Sequence, residues 1–153
     1  MGNVLQTPAG PESPVALVTG GAGGIGGAIC RSLAEAGFRV AVGYNRSAEA
    51  ATKLAAELPG NGHIAVAAPV TDSAALARMA DEIQRRAGRC DVLVNCAGTT
   101  RFVPHNDLDG LDDALIDSIL ATNVRGAFAA LRAVKPLLER STLKGGGVAI
   151  NIS

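Results

Sequence analysis

Residues Thr19 to Gly26 read TGGAGGIG, five glycines in eight positions, directly after the apolar run Pro14-Val15-Ala16-Leu17-Val18. Glycine is entropically costly in a folded chain, so this density of it calls for a chemical reason. A strand that turns straight into a helix through glycines leaves free backbone N–H groups at the positive end of the helix dipole, a bed for a diphosphate. On this reading Gly20 supplies the tight turn, Gly24 lets the backbone approach the phosphates, and Gly26 lets helix and strand pack closely, with Gly23 and Ile25 completing the loop. The spacing fits more than one template: GxGxxG through Gly21, Gly23 and Gly26, and TGxxxGxG or TGxxGxxG through other choices.

A dinucleotide site that prefers NAD carries an acidic side chain roughly 20 residues beyond the glycines, to bind the ribose 2′-OH. Here that stretch is Tyr44-Asn45-Arg46-Ser47, without a carboxylate. The Arg46 guanidinium suits a 2′-phosphate, which it can hold by charge-assisted and often bidentate bonds. NADP is therefore expected in preference to NAD. The bland alternative makes Arg46 a solvated helix-start residue, or a weak surface partner of Glu49.

These groups need a frame. Short β-branched runs alternate with alanine-rich amphipathic segments, predicting strands at Val15–Val18, Arg39–Gly43, His63–Ala67, Asp91–Asn95 and Val148–Ile152. Helices are predicted to begin near Gly24, Ala48, Ser73 and Leu111, the last running to Leu138. Asp72-Ser73 punctuates one start, followed by Leu76, Met79, Ala80 and Ile83 at helical spacing and by Gly88 as a stop. Gly37 closes the first helix in the same way. VAVGY and DVLVN are apolar enough to be covered on both faces, as parallel strands between helices are. Repeated strand, helix, strand units predict right-handed crossovers and a doubly wound α/β sheet.

Composition narrows the class. A chain of 153 residues, 48% apolar and 18% charged with net charge zero, has enough apolar material for one core and no basic patch for nucleic acid. No run approaches 18 consecutive apolar residues, and the N-terminus has neither a basic start nor an apolar core of a signal peptide. A soluble cytoplasmic protein is expected, with no membrane partner. Residues 1–13, rich in proline, glycine and polar types, read as a disordered tail before a domain at 14–153. Cys30, Cys90 and Cys96 are scattered and odd in number, which argues for reduced thiols and against a disulfide framework or a zinc site. No metal site is expected.

The fourth strand ends Leu93-Val94-Asn95-Cys96-Ala97-Gly98. With TGGAGGIG on the first strand, NCAG on the fourth and Asn123 in ATNVRGAF, the chain resembles the classical short-chain dehydrogenase/reductase family, whose signatures are TGxxxGxG and NNAG. The resemblance runs from about Val15 to Ser153. It implies a Rossmann-type sheet of strand order 3-2-1-4-5. It also implies that Asn95 helps tie the central strands and that Ala97 and Gly98 pass close to the cofactor ribose. On its own, Asn95 could also be a capped strand end, the lesser reading. Cys96 stands where the family often has a second asparagine. Pro69-Val70 stands where it often has Asp-Val, which leaves Val70 to pack against the adenine without a polar contact.

The implied activity is hydride transfer between NADP(H) and a carbonyl or alcohol, carried by a Ser, Tyr and Lys together with an asparagine. Asn123 matches that asparagine; read alone, it is as well explained as a helix-interior side chain bonding its own backbone. The only tyrosine is Tyr44, and no YxxxK occurs. VAINIS resembles the strand leading into the catalytic serine, placing Ser153 just before it, with Ser153 itself as the alternative. The expectation is an N-terminal part of a longer enzyme, inactive alone, whose fifth strand is an apolar edge that further strands would cover.

The resemblance is nearest to 3-oxoacyl-carrier-protein reductases and to sugar or polyol dehydrogenases. It implies a small or acyl-carrier-bound carbonyl substrate, met by a loop beginning at Thr99-Thr100-Arg101-Phe102. It further implies a homodimer or homotetramer joined through the fourth and fifth helices. A second reading is a non-catalytic dinucleotide-binding or sensing module.

Overall fold

A computed structural model describes residues 12–153; the predicted tail lies, up to residue 11, outside the described residues. Five parallel strands, β1 (Val15–Thr19), β2 (Arg39–Tyr44), β3 (Ile64–Ala67), β4 (Val92–Asn95) and β5 (Val148–Asn151), form one sheet. Their order is β3-β2-β1-β4-β5, as the resemblance implies. Helices α1 (Gly24–Glu35), α2 (Ala48–Glu57) and α3 (Ser73–Ala87) make the first three connections. The fourth is a continuous helix, Asp113–Leu138, made of α4 (Asp113–Leu120), a π-helical turn (Ala121–Gly126) and α5 (Ala127–Leu138).

Alternation along β1 shows why both faces are covered. Leu17 points into a core with Leu76, Met79 and Ile83 of α3 and Ala130 and Val134 of α5. Its neighbours Ala16 and Val18 point the other way, against Cys30 and Ala34 of α1 and Ala51 and Leu54 of α2. All five β1 residues are buried, the four from Val15 to Val18 forming an apolar run and Thr19 ending it with a hydroxyl.

Side chains set several boundaries. The Asp72 carboxylate accepts from the Ala75 N–H at 2.9 Å and starts α3. The fourth helix begins at Asp113, two residues after the predicted Leu111, because Asp112 caps it by accepting from the Leu115 N–H at 2.8 Å. His63 precedes β3 instead of opening it: its Nδ1 accepts from the Val40 N–H of β2 at 3.1 Å. Buried Arg39 reaches from β2 to the Ala87 carbonyl at the end of α3, at 2.6 Å.

Asp113–Leu138 is long and apolar enough, by length and composition alone, to cross a bilayer. In the fold its C-terminal half seats Ala129, Ala130, Val134, Leu137 and Leu138 on the sheet, while α4 buries none of its residues. Ile116, Leu120, Val124 and Phe128, at intervals of four, remain exposed on it.

Candidate functional site

Parallel strands deliver their C-terminal ends to one edge. The ends of β1, β2 and β4 and the link after β3 thus gather Gly20–Gly26, Tyr44–Ser47, Val70 and Asn95–Gly98 along a single rim. The order of connection reverses between β1 and β4, and a crevice at such a switch point is where open α/β sheets bind ligands.

The glycine loop resolves the ambiguity of its spacing. Gly20 has φ +66°, the left-handed turn that takes the chain off β1. An ideal β-carbon on Gly26 would lie 2.2 Å from the Gly20 carbonyl oxygen, so only a bare α-carbon fits there. Gly24 faces open space, with no atom of the described residues within 4 Å of an ideal β-carbon. Turn, open cradle and close packing fall on Gly20, Gly24 and Gly26, the TGxxxGxG assignment.

Gly23 is the N-cap of α1 and, as glycine, offers no side chain to the helix end. Gly27 donates to the Gly23 carbonyl at 2.6 Å, while the amides of Gly24, Ile25 and Gly26 precede any intrahelical acceptor. Ile25 is 66% exposed beside them. Three N–H groups without an acceptor among the described residues, at a helix N-terminus above a cradle that a β-carbon would fill, fit the diphosphate of a dinucleotide.

Tyr44 ends β2 and packs against the α1 and α2 side of the core. Asn45, Arg46 and Ser47 are exposed on the rim. Among the described residues Arg46 makes no ion pair, with Glu49 or any other carboxylate. Val70 is buried against the π-helical turn: a β-carbon on Gly126 would come within 2.8 Å of its Cγ2.

Thr19 holds the two halves of the rim together, and sequence reasoning did not single it out. Its Oγ1 accepts from the N–H of Cys96 at 3.1 Å and of Ala97 at 3.2 Å, and donates to the Val94 carbonyl at 3.4 Å. This draws the exit of β4 onto the glycine turn, where a β-carbon on Gly20 would stand 2.9 Å from the Ala97 Cα. The signal was a lone hydroxyl ending an otherwise apolar strand.

Asn95 is buried, and its Nδ2 donates to Asn151 Oδ1 of β5 at 2.9 Å and to the Ala127 carbonyl at 3.3 Å. It ties β4 to β5 and to the start of α5. Asn123 lies in the π-helical turn, and its carboxamide bonds outside its own helix. Oδ1 accepts from the Thr99 N–H at 2.8 Å, and Nδ2 donates to the Thr99 carbonyl at 3.0 Å. Single π turns inside α-helices recur at functional sites, and here the extra residue turns Asn123 towards the segment after Gly98. The loop beyond closes on itself: Arg101 donates to the Gly110 carbonyl, and Gly110 N–H to Asp107 Oδ1 at 2.9 Å. It leaves Phe102 and Leu108 exposed.

Two thiols flank the loop. Cys30 is buried beneath it, with Sγ 3.8 Å from the Gly21 carbonyl, and burial pushes its pKa up to about 12. Burial also raises that of the half-buried Cys96.

A family model described as short chain dehydrogenase matches residues 14–153. The chain is similar to the D-threitol dehydrogenase of Mycolicibacterium smegmatis, 41% identical over 93% of this chain and 53% of that protein. It is also similar to the 3-oxoacyl-(acyl-carrier-protein) reductase FabG of Staphylococcus aureus, 36% identical over 90% of this chain and 54% of that one. Among solved structures, an RhlG/NADP active-site complex of Pseudomonas aeruginosa superposes with a TM-score of 0.83 at 32% identity, over 99% of this chain and 57% of the other. The chain thus spans about half the length of the curated relatives it matches. With a match that takes in both the glycine turn and the NCAG exit of β4, the chain belongs to the short chain dehydrogenase family.

Proposed function

We propose that the protein is an oxidoreductase that interconverts a carbonyl and an alcohol, and that the residues gathered on this rim form its NADP(H) site. The observation that carries this reading is the uncapped N-terminus of α1 above the Gly20 turn, with Gly24 open to a ligand. When bound, NADPH supplies the hydride. The chain's own contribution is to bind and orient. The amides of Gly24, Ile25 and Gly26 take the diphosphate, with Gly20 and Gly23 shaping the turn. Ala97 and Gly98, pinned by Thr19, line the ribose side.

Arg46, exposed and without an ion pair among the described residues, takes the 2′-phosphate, flanked by Asn45 and Ser47 and backed by Tyr44. Val70 packs against the adenine. Asn95 holds the frame, and Asn123 acts as a positioning residue, since both ends of its carboxamide are engaged by Thr99. The substrate proposed is a small or acyl-carrier-bound carbonyl compound, in keeping with relatives named for a polyol and for a 3-oxoacyl carrier. The exposed stripe Ile116, Leu120, Val124 and Phe128 suits contact with a second copy of the chain, in a soluble cytoplasmic homo-oligomer.

Titration of the chain with NADPH and with NADH, by calorimetry, tests the reading. Binding of both, with NADPH the tighter, is expected; no binding of either overturns the dinucleotide site, and equal affinities overturn the NADP preference.

A further inference from the structure

At the sheet edge opposite the glycine loop, the Asp91 side chain is fully buried, at 0% exposed. Its Oδ2 accepts from the Val15 N–H and from Arg89 Nε, both at 2.8 Å. Oδ1 accepts from Arg89 Nη2 at 2.7 Å and from the Ser141 hydroxyl at 2.6 Å. The Asp91 N–H donates to the Val15 carbonyl at 2.8 Å, and its carbonyl accepts from the Val148 N–H at 2.9 Å. One residue thereby joins the first residue of β1, the first residue of β5 and the connection between α5 and β5.

Among the described residues, these groups face it. Arg89 and the Cys90 thiol come from its own segment, Ser141 from the α5–β5 connection and a backbone amide from β1; Glu12, ahead of β1, acts on Arg89. Burial alone would push the Asp91 pKa up, but the bonds from Arg89, Ser141 and Val15 outweigh it and hold the carboxyl below its ordinary value.

We propose that Asp91 and Ser141 are a remote positioning pair that fixes where β5 begins, and so which β5 side chain meets Asn95 at the far edge. Asp91 and Asn95 are four residues apart, about 13 Å along a strand. Over that span the register places Asn151 opposite Asn95, close enough for the 2.9 Å bond between their side chains. A slip of one residue would turn Asn151 to the other face and leave a buried Asn95 N–H without its acceptor. The second Asn95 N–H is held by Ala127, directly after the π-helical turn that carries Asn123. Placement of β5 therefore reaches the rim through Asn95.

Amide hydrogen exchange of the 153-residue chain, followed by mass spectrometry at neutral pH without ligand, tests the pair. Ser141→Ala is expected to speed exchange in 148–152 at least tenfold while 40–44 and 64–67 keep their rates, and Ser141→Thr is expected to restore protection. Asn151→Ala is expected to speed the same segment. The double variant Ser141→Ala/Asn151→Ala is expected to exchange no faster than the faster single variant, because both lose one register. Unchanged protection of 148–152 in Ser141→Ala overturns the proposal. So does equal acceleration in all five strands, or multiplied acceleration in the double variant, which would show the two ends of β5 held independently.

Discussion

Gly26 sits directly on Gly20: an ideal β-carbon on the first would lie 2.2 Å from the carbonyl oxygen and 2.8 Å from the carbonyl carbon of the second. The first turn of α1 thus rests on the turn that ends β1, and backbone on both sides leaves no flexible atom to give way. Gly24, two residues earlier, has the opposite surroundings.

That contrast separates folding from binding. Gly26→Ala is expected to lose stability at or above the upper end of the roughly 1–3 kcal/mol typical of overpacking, read by urea unfolding. Gly24→Ala is expected to keep its stability, with any change within the ~1 kcal/mol helix preference for alanine, yet to weaken NADPH binding by filling the cradle. Equal stability in both variants would refute the packing role of Gly26.

Arg46→Ala is expected to weaken NADPH at least about tenfold, since a hydrogen bond to a charged group is worth about 1.5–3 kcal/mol. NADH affinity should stay within about twofold, within the ±0.5 kcal/mol typical of surface changes. Calorimetric titration of both nucleotides decides it, and parallel losses would show that Arg46 does not read the 2′-phosphate.

Thr19→Val keeps the shape of the side chain and removes the acceptor shared by the Cys96 and Ala97 amides. Leaving partly buried donors unpaired costs about 1–3 kcal/mol each, so for the two amides a loss of about 2–6 kcal/mol in chemical denaturation is expected. A change below about 0.5 kcal/mol would mean that neither amide depends on this oxygen.

His63 gives an acid-side slope. Burial lowers its pKa, with Arg39 adding to the effect against the opposing bond to Pro59. In the fold Nδ1 is occupied by the Val40 N–H and Nε2 stands 2.9 Å from the Pro59 carbonyl, so the neutral ring with its proton on Nε2 fits. The unfolded chain binds the proton more readily, so stability is full above the ordinary histidine value of about 6.5 and falls as pH drops below it. Asp91, also depressed, contributes above about 3.9 and loses its contribution only as pH falls further. Urea midpoints between pH 8 and 5 should decline in the unmodified chain and flatten in His63→Gln; an identical decline in both removes His63 as the cause.

The strands and helices were legible because each rests on a local pattern, whereas the sheet order came with the family resemblance carried by TGGAGGIG and NCAG. Leu17 between Ala16 and Val18 marks a strand covered on both sides, and the spacing of Leu76, Met79 and Ile83 marks one face of α3. What escaped was set by partners distant in sequence. Thr19 earns its place through amides more than seventy residues away, at Cys96 and Ala97. The π-helical turn at Ala121–Gly126 offers only Gly126 as a signal, which periodicity reads as an ordinary helix glycine, and the bonds of Asn123 to Thr99 appear only in the fold. Asp91 read as an ordinary strand start because a sequence does not show Val15 and Ser141 closing around it.

Cys30, under the glycine turn, and Cys90, at the foot of β4, both have thiols that burial raises to about 12. Since the thiolate is the attacking species, neither sulfur reacts appreciably at neutral pH while the surrounding walls stay shut. The molecule thereby carries two silent chemical clocks, one beneath the proposed ligand bed and one beside the Asp91 anchor. Whichever is labelled first by a small alkylating reagent reports which end of the sheet opens first.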